Sequence, residues 1–113
     1  MISHLGAMLG VADGVALASN LDAANEIALV FSGDGGASEG DFHEALNWCA
    51  REKLPVIFHI QDNHFAISVP IEDQTAGGSI YDVTSGYANL ERIQMDGTDF
   101  FESYTAFQRA EKR

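Results

Sequence analysis

Apolar residues recur at Leu5, Met8, Leu9, Ala12, Val15 and Ala16, the i, i+3, i+4, i+7 spacing of a helix. Ser3 stands where an N-cap belongs. Ala7, Val11, Leu17 and Ala18 fill the opposite side, with Gly6, Gly10 and Gly14 between them. The helix over 5–19 is therefore apolar nearly all round and is expected to be central, packed closely on both sides. Asp13 interrupts it, and predicts either a partner for its carboxylate or a helix end less buried than the rest. Residues 20–25 are polar and read as a loop. Ile27 to Phe31 is a continuous apolar run, typical of a buried parallel strand over 26–31.

The run breaks into Gly33-Asp34-Gly35-Gly36. Helical periodicity then returns at Phe42, Ala45, Leu46, Cys49 and Ala50, predicting an amphipathic helix over 40–52. Lys53-Leu54-Pro55 closes it, and Val56 to Ile60 is a second buried strand that ends at Gln61-Asp62-Asn63. Residues 70–79 are acidic and then glycine-rich, a loop by composition. A short helix over 80–87, a third and weaker strand over 90–95, and a turn at Asp96-Gly97-Thr98-Asp99 follow. Asp99 with Glu102 forms a capping box for a final helix, whose Phe100, Phe101, Tyr104 and Phe107 are expected to face the core.

Strand, glycine turn, helix, strand and polar turn make one βαβ unit, with two loops at the carboxyl ends of its strands, the edge at which α/β folds bind ligands. Glycines at 33, 35 and 36 leave the backbone free to adopt positive φ and let its N–H groups approach a phosphate. Asp34 beside a phosphate is repulsive unless a hard cation lies between them. Magnesium suits, because it combines one or two protein oxygens with substrate phosphates and water. Asn63 lies about thirty residues beyond Asp34 and offers a second oxygen without added charge. An EF-hand reading fails at Gly36, Ser38, Glu39 and Ala45, and no Gly-Lys-Ser/Thr of a phosphate loop is present.

Gly-Asp-Gly followed by such an interval and an asparagine resembles the diphosphate-anchoring motif of thiamine diphosphate enzymes. The flanking residues narrow the match. The stretch from Gly33 to Asn47, Lys53-Leu54-Pro55-Val56, Ala66-Ile67-Ser68-Val69-Pro70 and the Asp96-Gly97-Thr98-Asp99 turn resemble the alpha subunit of the 2-oxo acid dehydrogenase family over nearly the whole chain. The resemblance implies a parallel-sheet thiamine diphosphate-binding fold, seen here as a partial domain over 1–113. It implies magnesium held by Asp34, Asn63 and the backbone carbonyl of Phe65, and diphosphate cradled by Gly33, Gly35 and Gly36. Backbone groups at Ser3 and Leu5 would support the aminopyrimidine ring, with the Leu5 side chain beneath the bent cofactor. Asp62 departs from the asparagine usual in the family and adds negative charge near the ion.

The implied reaction is decarboxylation of a small 2-oxo acid and transfer of the acyl group to a lipoyl-bearing acyltransferase. A beta subunit or fused beta domain would supply the glutamate that activates the cofactor, and no catalytic residue is assigned in this chain. An acetoin dehydrogenase, a transketolase-like enzyme and a non-catalytic interaction module are the competing readings. Lys53-Leu54-Pro55 and Ala66 to Pro70 argue against a transketolase.

Composition changes this picture little. Six Lys+Arg against 17 Asp+Glu give a formal charge of −11, which opposes binding to nucleic acid or an anionic membrane. No apolar run approaches a membrane span, and one cysteine, Cys49, allows no internal disulfide. The expected compartment is the cytoplasm, or the mitochondrial matrix in a eukaryote. His59 reads as a core histidine, while His43 and His64 lie near enough to the two loops to touch a ligand. The chain opens almost directly in a buried-looking helix, which points to a fragment of a longer polypeptide. The 113 residues alone are expected not to turn over, and any decarboxylation of a 2-oxo acid by the purified chain would contradict that.

Overall fold

A computed structural model describes residues 4–112. Two parallel strands form its centre, β1 (Ala28–Gly33) and β2 (Val56–Gln61), joined by α2 (Gly40–Glu52) and preceded by α1 (Ala7–Leu21). They pair in continuous register from Ala28↔Val56 to Gly33↔Gln61. Side chains alternate between faces along a strand. Val30 therefore meets Phe58 and Ile60 in a core with Leu9, Phe42 and Leu46 beneath the helices. The mixed helix and parallel-sheet architecture is that of an α/β fold.

The α2 helix stops where the sequence stops it. Lys53 takes the left-handed conformation at φ 53 and its backbone N–H donates to the Cys49 carbonyl, a terminus usually made by glycine. Cys49 is buried, and its thiol points at the Leu54 carbonyl at 3.5 Å. Burial pushes that thiol up to about 11, assisted by the negative charge of Asp13.

Beyond β2 the chain makes a small antiparallel hairpin, β3 (Phe65–Ala66) and β4 (Val69–Pro70), then two single-turn helices, α3 (Ile71–Gln74) and α4 (Ile80–Val83). The segment expected to be a plain loop over 70–79 thus carries helical turns. Pro70 fixes the entry to α3, and Ile71 anchors it in the core. Ser79 caps α4 by accepting from the Asp82 N–H at 3.1 Å.

Further corrections concern residues 90–95, α5 and α1 in turn. Residues 90–95 form no strand, because the two-stranded parallel sheet ends at β2 and an extended segment without a ladder partner is not a strand. The last helix, α5 (Phe100–Glu111), is capped as expected, with Asp99 Oδ1 accepting from the Phe101 and Glu102 N–H groups at 2.8 and 3.0 Å. Glu102, however, reaches back to the Asp96 N–H at 3.0 Å rather than to Asp99. Of the four aromatic residues assigned to its core face, Phe100 and Phe101 are 73% and 77% exposed and Tyr104 is also exposed. Only Phe107 docks, stacked on His59 with ring centroids 5.3 Å apart, while His59 leans on Phe31 of β1. That aromatic trio attaches α5 to the sheet face opposite α1 and α2, and burial there lowers the His59 pKa.

The third correction concerns α1, which is covered on one side only. Leu9, Ala12 and Ala16 are buried, whereas Met8, Val11 and Val15 remain about half exposed. Asp13 lies on the covered side, 0% exposed, and neither carboxylate oxygen has a hydrogen-bond partner among the described residues. Both expectations for it fail together, since it is buried and it is unpaired. Desolvation raises its pKa to about 6, because a buried carboxylate without a partner favours its neutral form.

A raised carboxyl pKa means that the folded state binds the proton more tightly than the unfolded chain. Its contribution to stability is full below about pH 4, falls as pH rises toward 6, and is constant above that. In the full-length protein, Asp13→Asn should remove this descent and leave the variant more stable at pH 7, by on the order of 1–3 kcal/mol. Urea melts of both proteins at pH 4.5 and 7 check it, and equal pH slopes would refute it.

Candidate functional site

The register of β1 on β2 decides where the two loops stand. Gly33 pairs with Gln61, and the next residue, Asp34, donates its N–H to the Gln61 carbonyl at 3.3 Å. Asp34 thus leaves the sheet beside the start of Asp62-Asn63. Its side chain is 2% exposed, and Oδ2 is buried with no hydrogen-bond partner among the described residues. An orphaned buried carboxylate oxygen is costly, so its place at the ligand-binding edge calls for a cation or a donor.

The polar loop is shaped by its own side chains. Asp62 Oδ1 accepts from the His64 N–H and Asn63 Oδ1 from the Phe65 N–H, each at 2.9 Å, two successive turns of the kind that Asp and Asn favour. They hold His64 at φ 66. Asp62 is therefore part of what folds the loop, and its Oδ1 also lies 3.4 Å from the exposed His64 ring. Phe65 opens the hairpin opposite Pro70. The Ile71 N–H donates to the His64 carbonyl at 2.9 Å, which makes Phe65 and Pro70 a non-hydrogen-bonded pair, so the Phe65 carbonyl is not taken up by β4.

The glycine turn is built on space rather than on unusual φ. Among the described glycines positive φ occurs at Gly77 and Gly78, while Gly35 has φ −61. The freedom to adopt positive φ is not used at Gly33, Gly35 or Gly36. A Cβ on Gly35 would lie 2.7 Å from the Ala66 Cβ, so the hairpin packs directly on the turn. A Cβ on Gly36 would strike Ser32 Oγ and lie 3.3 Å from the Leu5 carbonyl. Gly33 has room for a side chain.

Leu5 thus joins the site through its backbone, and the residue is 62% exposed. Ser3 lies outside the described residues. The structure gathers Leu5, Gly33, Asp34, Gly35, Gly36, Asn63 and Phe65 at one edge of the sheet. His43 is turned away into a hydrogen bond between Nδ1 and the Tyr87 hydroxyl at 3.1 Å. Gln74 is a residue that pattern reading missed. Its Oε1 accepts from Ser38 Oγ at 3.3 Å, and would stand 4.0 Å from a Gly35 Cβ.

No group of three or more His, Cys, Asp or Glu side chains fit to hold a metal occurs among the described residues. A cation here would draw on one carboxylate, one amide oxygen and a backbone carbonyl. That all-oxygen set fits a hard divalent ion that keeps water or phosphate in its remaining positions.

The profile of the dehydrogenase E1 component family matches residues 2–113. The chain belongs to that family. Among curated relatives of this E1 chain, the pyruvate dehydrogenase E1 component subunit alpha of Bacillus cereus is 38% identical over 109 residues, 96% of this chain and 29% of the relative. The Staphylococcus aureus (strain Mu50) protein of that name is 39% identical over the same share. The 2-oxoisovalerate dehydrogenase subunit alpha of Bacillus subtilis (strain 168) is 40% identical over 100 residues, 88% of this chain and 30% of the relative. The chain spans about three-tenths of the length of these proteins.

Packing of the hairpin on Gly35 is open to a direct test. Gly35→Ala in the full-length protein should cost roughly 1–3 kcal/mol by overpacking, and Gly35→Ala with Ala66→Gly should recover most of it. Gly36→Ala should cost less, because the Ser32 hydroxyl can rotate away. Chemical denaturation of the four proteins checks this, and an unrescued double variant would refute the contact.

Proposed function

We propose that this chain holds the diphosphate and metal of thiamine diphosphate in the alpha component of a 2-oxo acid dehydrogenase. The observation that carries the reading is the buried Asp34 carboxylate, whose Oδ2 has no partner among the described residues, set at the carboxyl edge of a parallel pair beside the Asn63 turn. A carboxylate in that position disfavours an anion by itself and favours an anion that arrives with a divalent cation. Asp34, Asn63 and the Phe65 carbonyl would hold magnesium. The turn over 33–36, lacking side chains at Gly35 and Gly36, would let backbone N–H groups face the phosphates.

Bound there, the cofactor would supply the carbanion and electron sink for decarboxylation. This chain's residues bind and orient it: Leu5 presents an apolar side chain beside the turn, and the Asp62 and Asn63 turns fix the loop that carries the metal ligands. The names of the relatives support pyruvate or a branched-chain 2-oxo acid as substrate, and a beta component and a lipoyl-bearing acyltransferase as partners. Intact Asp34 and Asn63 weigh against a non-catalytic module.

Calorimetry on the full-length gene product with its beta partner tests the reading. Thiamine diphosphate should bind only with magnesium present. Asp34→Asn should weaken binding by more than the roughly 10- to 100-fold that loss of an outer-shell partner costs, while its thermal melt without cofactor stays at or above the native value. Binding that is equally tight with a chelator present would overturn the assignment. A panel of 2-oxo acids on the same preparation would then name the substrate.

A further inference from the structure

Two buried polar atoms of opposite character flank the glycine turn. One is the acceptor Asp34 Oδ2 and the other the donor Gln74 Nε2, and neither has a hydrogen-bond partner among the described residues. Gln74 comes from the end of α3, forty residues along the chain from Asp34, and is brought to the turn by the hairpin that packs Ala66 against Gly35. Its amide is held from one end. Ser38 Oγ meets Oε1 at 3.3 Å, which leaves the other end of the same planar group to be satisfied by something else. Because a hydroxyl both donates and accepts, Ser38 leaves one amide atom over in either orientation of the group.

An unpartnered buried amide donor also costs free energy, though less than an unpartnered charged group. A single occupant that satisfies both presents a cation or a donor to Asp34 and an acceptor oxygen to Gln74. A metal-bound diphosphate has both faces. Resting on the reading under Proposed function, we propose that Gln74 is a ligand-binding residue of this site, its side-chain amide donating a hydrogen bond to a phosphate oxygen of the metal-bound cofactor while Ser38 holds the amide in place. The chain's acidic balance makes such a neutral donor useful. Among the described residues around the turn, Asp34 and Asp62 are acidic and Ser38, Asn63 and Gln74 are uncharged amide or hydroxyl groups, so the donors this chain offers a phosphate there are neutral ones.

The informative variant is Gln74→Glu. It keeps an oxygen for Ser38 Oγ to donate to, keeps the size of the side chain, and replaces the donor by a negative charge. In the full-length protein with its beta partner, calorimetry should show thiamine diphosphate binding, with magnesium saturating, roughly 10- to 100-fold weaker than native. The loss should shrink as pH is lowered from 7.5 toward 5.5, where protonation of the new carboxyl restores a donor. Ser38→Ala should weaken binding by less than Gln74→Glu. Thermal melts without cofactor should be alike for all three proteins.

Affinity of Gln74→Glu within twofold of native would overturn the inference. So would an equal loss in Ser38→Ala with no recovery at low pH, since Gln74 would then merely brace the turn. Failure of the native protein to bind thiamine diphosphate would overturn the reading on which the inference rests. That outcome is distinguished by the native protein, before any variant is compared.

Discussion

The parallel pairing of β1 with β2 is the constraint on which the rest of the structure depends. Its register sets Gly33 against Gln61, and every feature of the candidate site is downstream of that pair. A slip of one residue would turn Val30, Phe58 and Ile60 out of the core and would carry Asp34 away from the Asn63 turn. The apolar core and the polar edge are therefore specified by the same set of ladder bonds. Phe42 and Leu46 of α2, buried against the sheet, hold that register from one face, and the Phe31, His59 and Phe107 rings grip it from the other.

Much of this was legible in the sequence because the signals were local. Helix α2 runs over the residues its apolar period gives, Gly40–Glu52, and β1 and β2 fall within two residues of the apolar runs at their start and end. The glycine turn and Asn63 stand together at the sheet edge because a helix and a strand fit the interval between them. What was not legible depends on contacts between segments. Residues 90–95 have strand-like composition and no strand to pair with. Phe100 and Phe101 have the spacing of a core face, yet this chain places no layer over them. The glycines were read as free to adopt positive φ, whereas Gly35 is needed because Ala66 of the distant hairpin comes close, and Gly36 because the nearby Ser32 hydroxyl does.

Gln74 illustrates the same limit from the functional side. Nothing in Ile71-Glu72-Asp73-Gln74 marks the last residue as different from an exposed loop amide. Its significance lies in being folded back along the chain onto Gly35 and Ser38. Asp13 is the converse case. Its oddness was plain in an apolar helix, but periodicity could not say that the structure would bury it without a partner.

The thiol at Cys49 turns these packing relations into something that can be timed. It sits on the buried face of α2, bonded toward Leu54 and pushed up to about 11, and thiolate is the form that reacts with alkylating reagents. In the closed molecule it is both shielded and protonated, so modification must wait for α2 to lift from its neighbours. The rate at which Cys49 takes up label then becomes a clock for the opening of the α1, α2 and sheet layers. Any ligand that tightens the edge that α2 helps to build would slow that clock without touching the sulfur.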